Sequence, residues 1–110
     1  MTTDPWEVGL EHEQSVSAVE RRERGAWYTP RPLVEALVAE AITADRIPTF
    51  VVDPTCGGGA FLLGVLDRMV ELGVAPSDAL GRVGGLDLSP GAVQSAKQAV
   101  ELWATQHHVV

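Results

Sequence analysis

The sequence predicts an α/β fold built on a parallel sheet, and three observations predict it. Phe50-Val51-Val52 is a short apolar run that meets an acid, Asp53, and then a glycine turn. Arg82 to Leu88 is a second run carrying a second acid, Asp87. Helical patterns stand before, between and after the two, and strands alternating with helices pair in parallel through right-handed crossovers. Two strands alone leave both edges open and both faces in need of cover. The pattern is therefore that of the first part of a larger doubly wound domain.

Each element has its own reason. Residues 1–25 are polar and rich in charge. Glu11 to Arg24 fits a helix, with Glu20 and Arg24 as a favourable i,i+4 pair. Its apolar stripe (Leu10, Val16, Val19) is thin, which predicts weak packing, so the segment reads as a helical arm or lead-in that Gly25 ends. Trp6 has no evident place. Ala26-Trp27-Tyr28-Thr29-Pro30 changes character abruptly, and Thr29-Pro30 resembles a helix start. Leu33, Val34, Leu37, Val38, Ala41 and Ile42 follow at helical spacing and predict a helix from about Arg31 to Thr43. A turn containing Pro48 leads into Phe50 to Val52, a continuous apolar run expected of a strand buried on both faces, which Pro54 ends.

From Gly59 to Leu72 a wide apolar face (Phe61, Leu62, Leu63, Val65, Leu66, Met69, Val70) predicts a well-buried helix, and Gly73 fits its C-terminal cap. Pro76 to Gly81 reads as a connection. Arg82 to Leu88 reads as the second strand, ending at the acid. Ser89 then offers an N-cap and Pro90 a first helical position. Ala92, Val93, Ala96, Ala99, Val100 and Trp103 form the stripe of a last helix, with Trp103 in the core. His107 to Val110 carries no structural signal and reads as a frayed end.

Composition narrows the function. The 110 residues are 45% apolar and 21% charged, which suits a globular chain of one domain or part of one. The net charge is −7, from 8 basic and 15 acidic residues, and Lys97 is the single lysine. That is the wrong sign for a self-sufficient nucleic-acid binder, whose affinity rests on neutralising phosphates. Arg21, Arg22 and Arg24 cluster, but glutamates among them make a mixed-charge solvated helix the better reading. Cys56 is the only cysteine, so no internal disulfide forms. With His12, His107 and His108 it fits no metal-ligand spacing, and no metal site is expected. The N-terminus lacks a basic region followed by an apolar run, so it is no signal peptide. No apolar run approaches the roughly 20 residues needed to cross a bilayer. A cytoplasmic protein without membrane contact is the expectation.

The chemistry concentrates in Asp53-Pro54-Thr55-Cys56-Gly57-Gly58-Gly59. Glycines at a helix N-terminus present backbone N–H groups and a partial positive charge. The spacing is not G-x-G-x-x-G, which weakens a dinucleotide reading. Asp53 at the strand end sits badly with a polyphosphate and suits a cationic group such as an ammonium. S-adenosylmethionine carries an amino group and a carboxylate and no phosphate. The alternative is a tight turn with no ligand, though three glycines after an acid are costly unless something approaches closely. Asp87 lies 30 residues after Gly57, where a carboxylate can accept the hydroxyls of a ribose; Asp before Ser-Pro is also plain turn chemistry. Cys56 reads as a small filler in the loop rather than a nucleophile. Trp27 and Tyr28 either cover a ligand or staple the start of the next helix, and composition does not choose between the two.

These residues together resemble the N6-adenine DNA methyltransferases, above all the type I modification subunits and the fused type II restriction-modification enzymes. Gly25-Ala26-Trp27-Tyr28-Thr29-Pro30 is similar to a G-x-Y-[YF]-T-P element that lines the methionine end of the cofactor. Asp53 to Leu62 resembles the D-P-[AT]-C-G-[SG]-G-x-[FL]-L cofactor loop. Gly85-Leu86-Asp87-Leu88-Ser89-Pro90 resembles the G-x-D-x-x-P element that holds the ribose. The three cover about residues 25 to 103.

The resemblance implies a partial Rossmann-like, S-adenosylmethionine-dependent methyltransferase fold over residues 26–110, its first two parallel strands flanked by helices. A helical arm over 1–25 precedes it. It implies cofactor contacts from Tyr28, Thr29, Pro30, Asp53, Thr55, Cys56, Gly57, Gly59, Asp87 and Leu88. Of these, Tyr28, Thr29, Asp53, Thr55, Gly57 and Gly59 frame the methionine half, and Asp87 takes the ribose. The sequence departs from the family at the chemical step. Transfer to the exocyclic nitrogen runs through [DNS]-P-P-[YFW], whose aromatic stacks on a flipped base, and this chain has no Pro-Pro pair. The acid expected after a third strand, which would hold the adenine of the cofactor, and any target-recognition domain are also missing. No catalytic residue is assigned. The expectation is a segment inactive alone. Its alternatives are one half of a split enzyme completed by a second polypeptide, a non-catalytic cofactor-binding module, and a gene remnant. DNA is the family substrate, without a DNA-binding surface evident here.

Overall fold

The computed structural model describes residues 3–15 and 29–109. Among the described residues five helices and two strands follow in the order α1 (Pro5–Ser15), α2 (Arg31–Ala41), β1 (Val51–Asp53), α3 (Ala60–Glu71), α4 (Pro76–Leu80), β2 (Val83–Gly85) and α5 (Pro90–Gln106). The strands pair in parallel, Val51 opposite Val83 and Asp53 opposite Gly85. The architecture is therefore a two-stranded parallel sheet with flanking helices, compatible with part of a Rossmann-like fold. No helix among the described residues is long and apolar enough to cross a membrane.

The helix starts follow local chemistry. Ser89 caps α5 by accepting from the Ala92 N–H at 3.3 Å. Gly73, with a φ of 98°, follows α3 in the left-handed conformation that suits glycine at a helix end. α2 runs from Arg31 only to Ala41, because Ile42 turns extended and Thr43 pairs with Arg46 instead. The stretch from Pro76, expected as a connection, is the short helix α4: proline suits a first helical position, and Ala79 is fully buried.

The largest correction concerns the N-terminus. Of the helix expected over Glu11 to Arg24 the described residues hold only 11–15, which are helical and belong to α1, a helix that begins earlier, at Pro5. Asp4 starts it, its side chain accepting the Trp6 N–H at 3.0 Å and its carbonyl the Glu7 N–H. α1 packs through residues outside the expected stripe: Trp6 and Val8 are buried in the main core with Val34, Leu63, Leu66, Met69 and Trp103. The anchor lies N-terminal to the stripe that was read, and Leu10 of that stripe is exposed. Val16, Val19 and the Glu20–Arg24 pair lie outside the described residues, as do Trp27 and Tyr28.

Asp67 organises this core. One carboxylate oxygen accepts the Trp103 indole N–H at 2.7 Å, and the other accepts that of Trp6 at 3.3 Å. A single acid on α3 thus holds α1 and α5 together and satisfies two indole donors that burial would otherwise leave unpaired. Arg31 lies over the Trp6 ring at 4.5 Å. His107 is not frayed. It closes α5, stacks on Trp103 with ring centroids 4.0 Å apart, and places Nδ1 2.9 Å from the Trp103 carbonyl oxygen.

The sheet is not buried on both faces. Val51 packs against the core, whereas Val52 is 51% exposed. Side chains alternate along a strand, and only the face toward α3 is covered among the described residues. β2 is also shorter than expected. It stops at Gly85, because the chain turns as soon as Leu86 has donated to the Asp53 carbonyl at 2.9 Å. Asp87 therefore stands two residues beyond the strand.

Candidate functional site

Where β1 ends, the backbone is fixed by its own acid. Asp53 Oδ1 accepts the Thr55 N–H at 3.0 Å and lies 3.5 Å from the Thr55 hydroxyl. This side-chain-to-backbone turn holds the loop after a strand. It leaves Oδ2 of Asp53 without a protein donor among the described residues. Cys56 then donates its N–H to the Leu86 carbonyl at 2.8 Å, tying the loop to the end of β2. Gly57 takes a φ of 53°, which a residue with a side chain rarely adopts. Nothing lies within 4 Å of where its side chain would be, so the backbone is approachable from the open side.

Asp87 completes the frame. Its Oδ2 accepts the Gly57 N–H at 3.0 Å and its Oδ1 accepts the Ser89 N–H at 2.8 Å. The two motifs that sequence places 30 residues apart are thus hydrogen-bonded to each other. A carboxylate offers about four lone-pair sites, so Asp87 keeps acceptor capacity beyond these two bonds. α3 begins without a side-chain cap, so its first-turn N–H groups take no side-chain acceptor. Burial pushes the Cys56 thiol above its ordinary range, and the carboxylates of Asp87 and then Asp53 push it further the same way. A thiol held protonated is no nucleophile, in agreement with its reading as filler.

These parts line one cleft of about 810 Å³. Thr29, Asp53, Thr55, Cys56, Gly57, Asp87 and Leu88 all border it. Leu88 is 94% exposed. Pro30 and Gly59 are not on its wall. Gly59, at a φ of 92°, faces Ala96 instead, with room for no side chain: a Cβ there would stand 3.2 Å from the Ala96 Cα. Its role is the packing of α3 on α5. Tyr28 lies outside the described residues. Sequence reading missed Leu37 and Phe61 on the apolar side and Gly9 and His12 of α1. Leu37 and Phe61 were legible as helix stripe only, and α1 had no motif to mark it.

The donor set decides what the cleft accepts. Among the described residues two carboxylates border it, no lysine does, and Arg46 is the one arginine. That set repels a polyphosphate and suits a ligand carrying an ammonium and vicinal hydroxyls. No group of His, Cys, Asp and Glu among the described residues could hold a metal ion. Residues 7–93 match the family model described as N-6 DNA Methylase. No curated protein and no solved structure matches the chain.

Proposed function

The chain belongs to the N-6 DNA methylase family, and from that premise we propose that it is the S-adenosylmethionine-binding segment of an adenine-specific DNA methyltransferase. The observation that carries the reading is the bond from the Gly57 N–H to Asp87. It sets two carboxylates, Asp53 and Asp87, around one approachable glycine backbone. The free oxygen of Asp53 suits the ammonium of the methionine moiety. The remaining acceptor capacity of Asp87 suits the ribose hydroxyls. The uncapped start of α3 suits the carboxylate. Thr29, Thr55, Cys56, Gly57 and Leu88 complete the proposed contacts, with Gly59 setting the helix angle and Pro30 and Tyr28 assigned on family resemblance alone.

When bound, S-adenosylmethionine supplies the sulfonium methyl group that the family transfers to adenine N6, which gives up one proton and leaves S-adenosylhomocysteine. The 110 residues contain no Pro-Pro pair, so the groups that would hold the target amino group lie elsewhere. We assign no catalytic residue to this chain and expect no transfer by it alone. Further protein, continuous with these residues or on a second polypeptide, would supply the catalytic motif; Val52 on the sheet and Leu86 and Leu88 beyond it are exposed apolar side chains that it could cover. Likeness to type I modification subunits and fused restriction-modification enzymes is what supports a restriction-modification setting.

Calorimetric titration tests the reading. The chain should bind S-adenosylmethionine, and Asp53→Ala and Asp87→Ala should each weaken binding about tenfold or more, since a hydrogen bond to a charged group contributes roughly 1.5–3 kcal/mol. ATP should not compete. Equal affinity for both ligands, or indifference to both substitutions, overturns the assignment.

A further inference from the structure

α1 reaches the cleft through a contact that two glycines allow. A Cβ on Gly58 would stand 2.3 Å from the Gly9 Cα, and one on Gly9 would stand 3.0 Å from the Gly58 carbonyl oxygen. Glycine inside a helix costs about 0.5–1 kcal/mol relative to alanine. The gain at position 9 is that the helix backbone rests directly on the cofactor loop. Trp6, one turn earlier, anchors the helix in the core at 8% exposure. His12, one turn later, borders the cleft. Residues three apart are neighbours on a helix surface, so anchor, contact and imidazole follow one another along α1.

The imidazole has a definite neighbourhood. His12 Cε1 stands 3.5 Å from where a Gly91 side chain would begin, and Ser89 Oγ stands 3.7 Å from the same point. This is the start of α5, directly after the Asp87 turn. Gly9 and Gly58 lie at the loop, and His12 lies on the Asp87 side.

We propose that α1 is a wall of the ligand site and that His12 contacts the nucleoside half of the bound cofactor. The inference rests on the reading of the cleft as an S-adenosylmethionine site. Asp87 then fixes the ribose from below, and the His12 ring, a donor at one nitrogen and an acceptor at the other, meets the same nucleoside from α1. The methionine half is placed toward Asp53, at the other motif of the cleft.

Proton–carbon correlation spectra of the full chain test this, because its three histidines (His12, His107, His108) give few ring signals and His12→Ala assigns one of them. S-adenosylmethionine and adenosine should each shift the His12 ring signal and leave those of His107 and His108 in place, while methionine should not move it. His12→Ala should weaken S-adenosylmethionine binding about 3- to 10-fold, as loss of a neutral hydrogen bond does, measured well below the melting transition of the variant. If the cofactor binds but the His12 signal is still and His12→Ala binds as well as the parent, α1 is not part of the site, while the cofactor reading stands. A His12 signal that answers methionine and not adenosine overturns the placement. If no ring signal moves and calorimetry detects no binding of S-adenosylmethionine, the cofactor reading falls, and this inference with it.

Discussion

Two residues carry more than their type suggests. Asp67 is a half-buried acid with no basic partner among its hydrogen bonds, and both its oxygens are committed to indole N–H groups. Asp67→Ala strands two donors, one of them on Trp103, among the largest fully buried side chains. Unsatisfied buried donors cost about 1–3 kcal/mol each, so the substitution should lower unfolding stability by about 2–4 kcal/mol in urea titration. A loss below the scatter of such measurements would mean that the indoles find water instead. Cys56 predicts a pH effect. Its thiol holds a proton in the folded chain at pH values where the unfolded chain has released it. The native state then binds more protons, so stability falls as pH rises. Stability should be level below the ordinary thiol value of 9.0 and decline above it, and Cys56→Ala should remove that part of the decline. Denaturation midpoints measured from about pH 7 to about pH 10.5 check it, a range that brackets the ordinary thiol value and extends to the alkaline side, where the decline is expected.

At the scale of elements, the seating of α1 on the glycine loop is the arrangement most exposed to test. Gly58→Ala places a methyl group where the Gly9 backbone already is. Overpacking of this kind costs typically about 1–3 kcal/mol, and here the yielding element is α1 rather than the loop, which three bonds to Asp87, Leu86 and Cys56 hold down. The expected result is a lower melting temperature together with a red-shifted tryptophan emission as Trp6 loses its burial. A Gly58→Ala variant that keeps the parent stability and emission would show that α1 does not rest there.

For the molecule as a whole, charge makes the sharpest prediction. At a net charge of −7, the chain should not bind duplex DNA at about 0.15 M salt, where affinity depends on cationic contacts with phosphate. Fluorescence anisotropy of a labelled duplex reads this, and saturable binding would point to a local basic surface that the totals hide. What was legible in the sequence was what local chemistry writes: Ser89 and Pro90 opening α5, Gly73 closing α3, and the Asp53 and Asp87 motifs that meet in one cleft. What was not legible depended on partners far along the chain. Trp6 meets Asp67 sixty-one positions away, and nothing in the pattern around Trp6 names that acid. Gly9 and His12 belong to the cleft through the same long-range docking. Val51 and Val52 read alike in sequence, and only the packing of the core against one face separates a half-buried valine from an exposed one.

That docking sets an order of events during synthesis. The Gln106 side chain donates to the Thr3 carbonyl at 2.7 Å, and Trp6 and Trp103 share one acid. α1, which leaves the ribosome before α5, therefore waits for it before either indole is sheltered. The loop and the two strands are joined by nearer contacts and close first, since distant contacts must overcome a larger loop-closure entropy. During that interval Trp6 and the apolar face of α3 stand uncovered on a nascent chain, the situation in which unfinished chains associate with one another. Stalled or shortened translation products lacking α5 should thus be found with chaperones or in aggregates rather than as soluble half-domains.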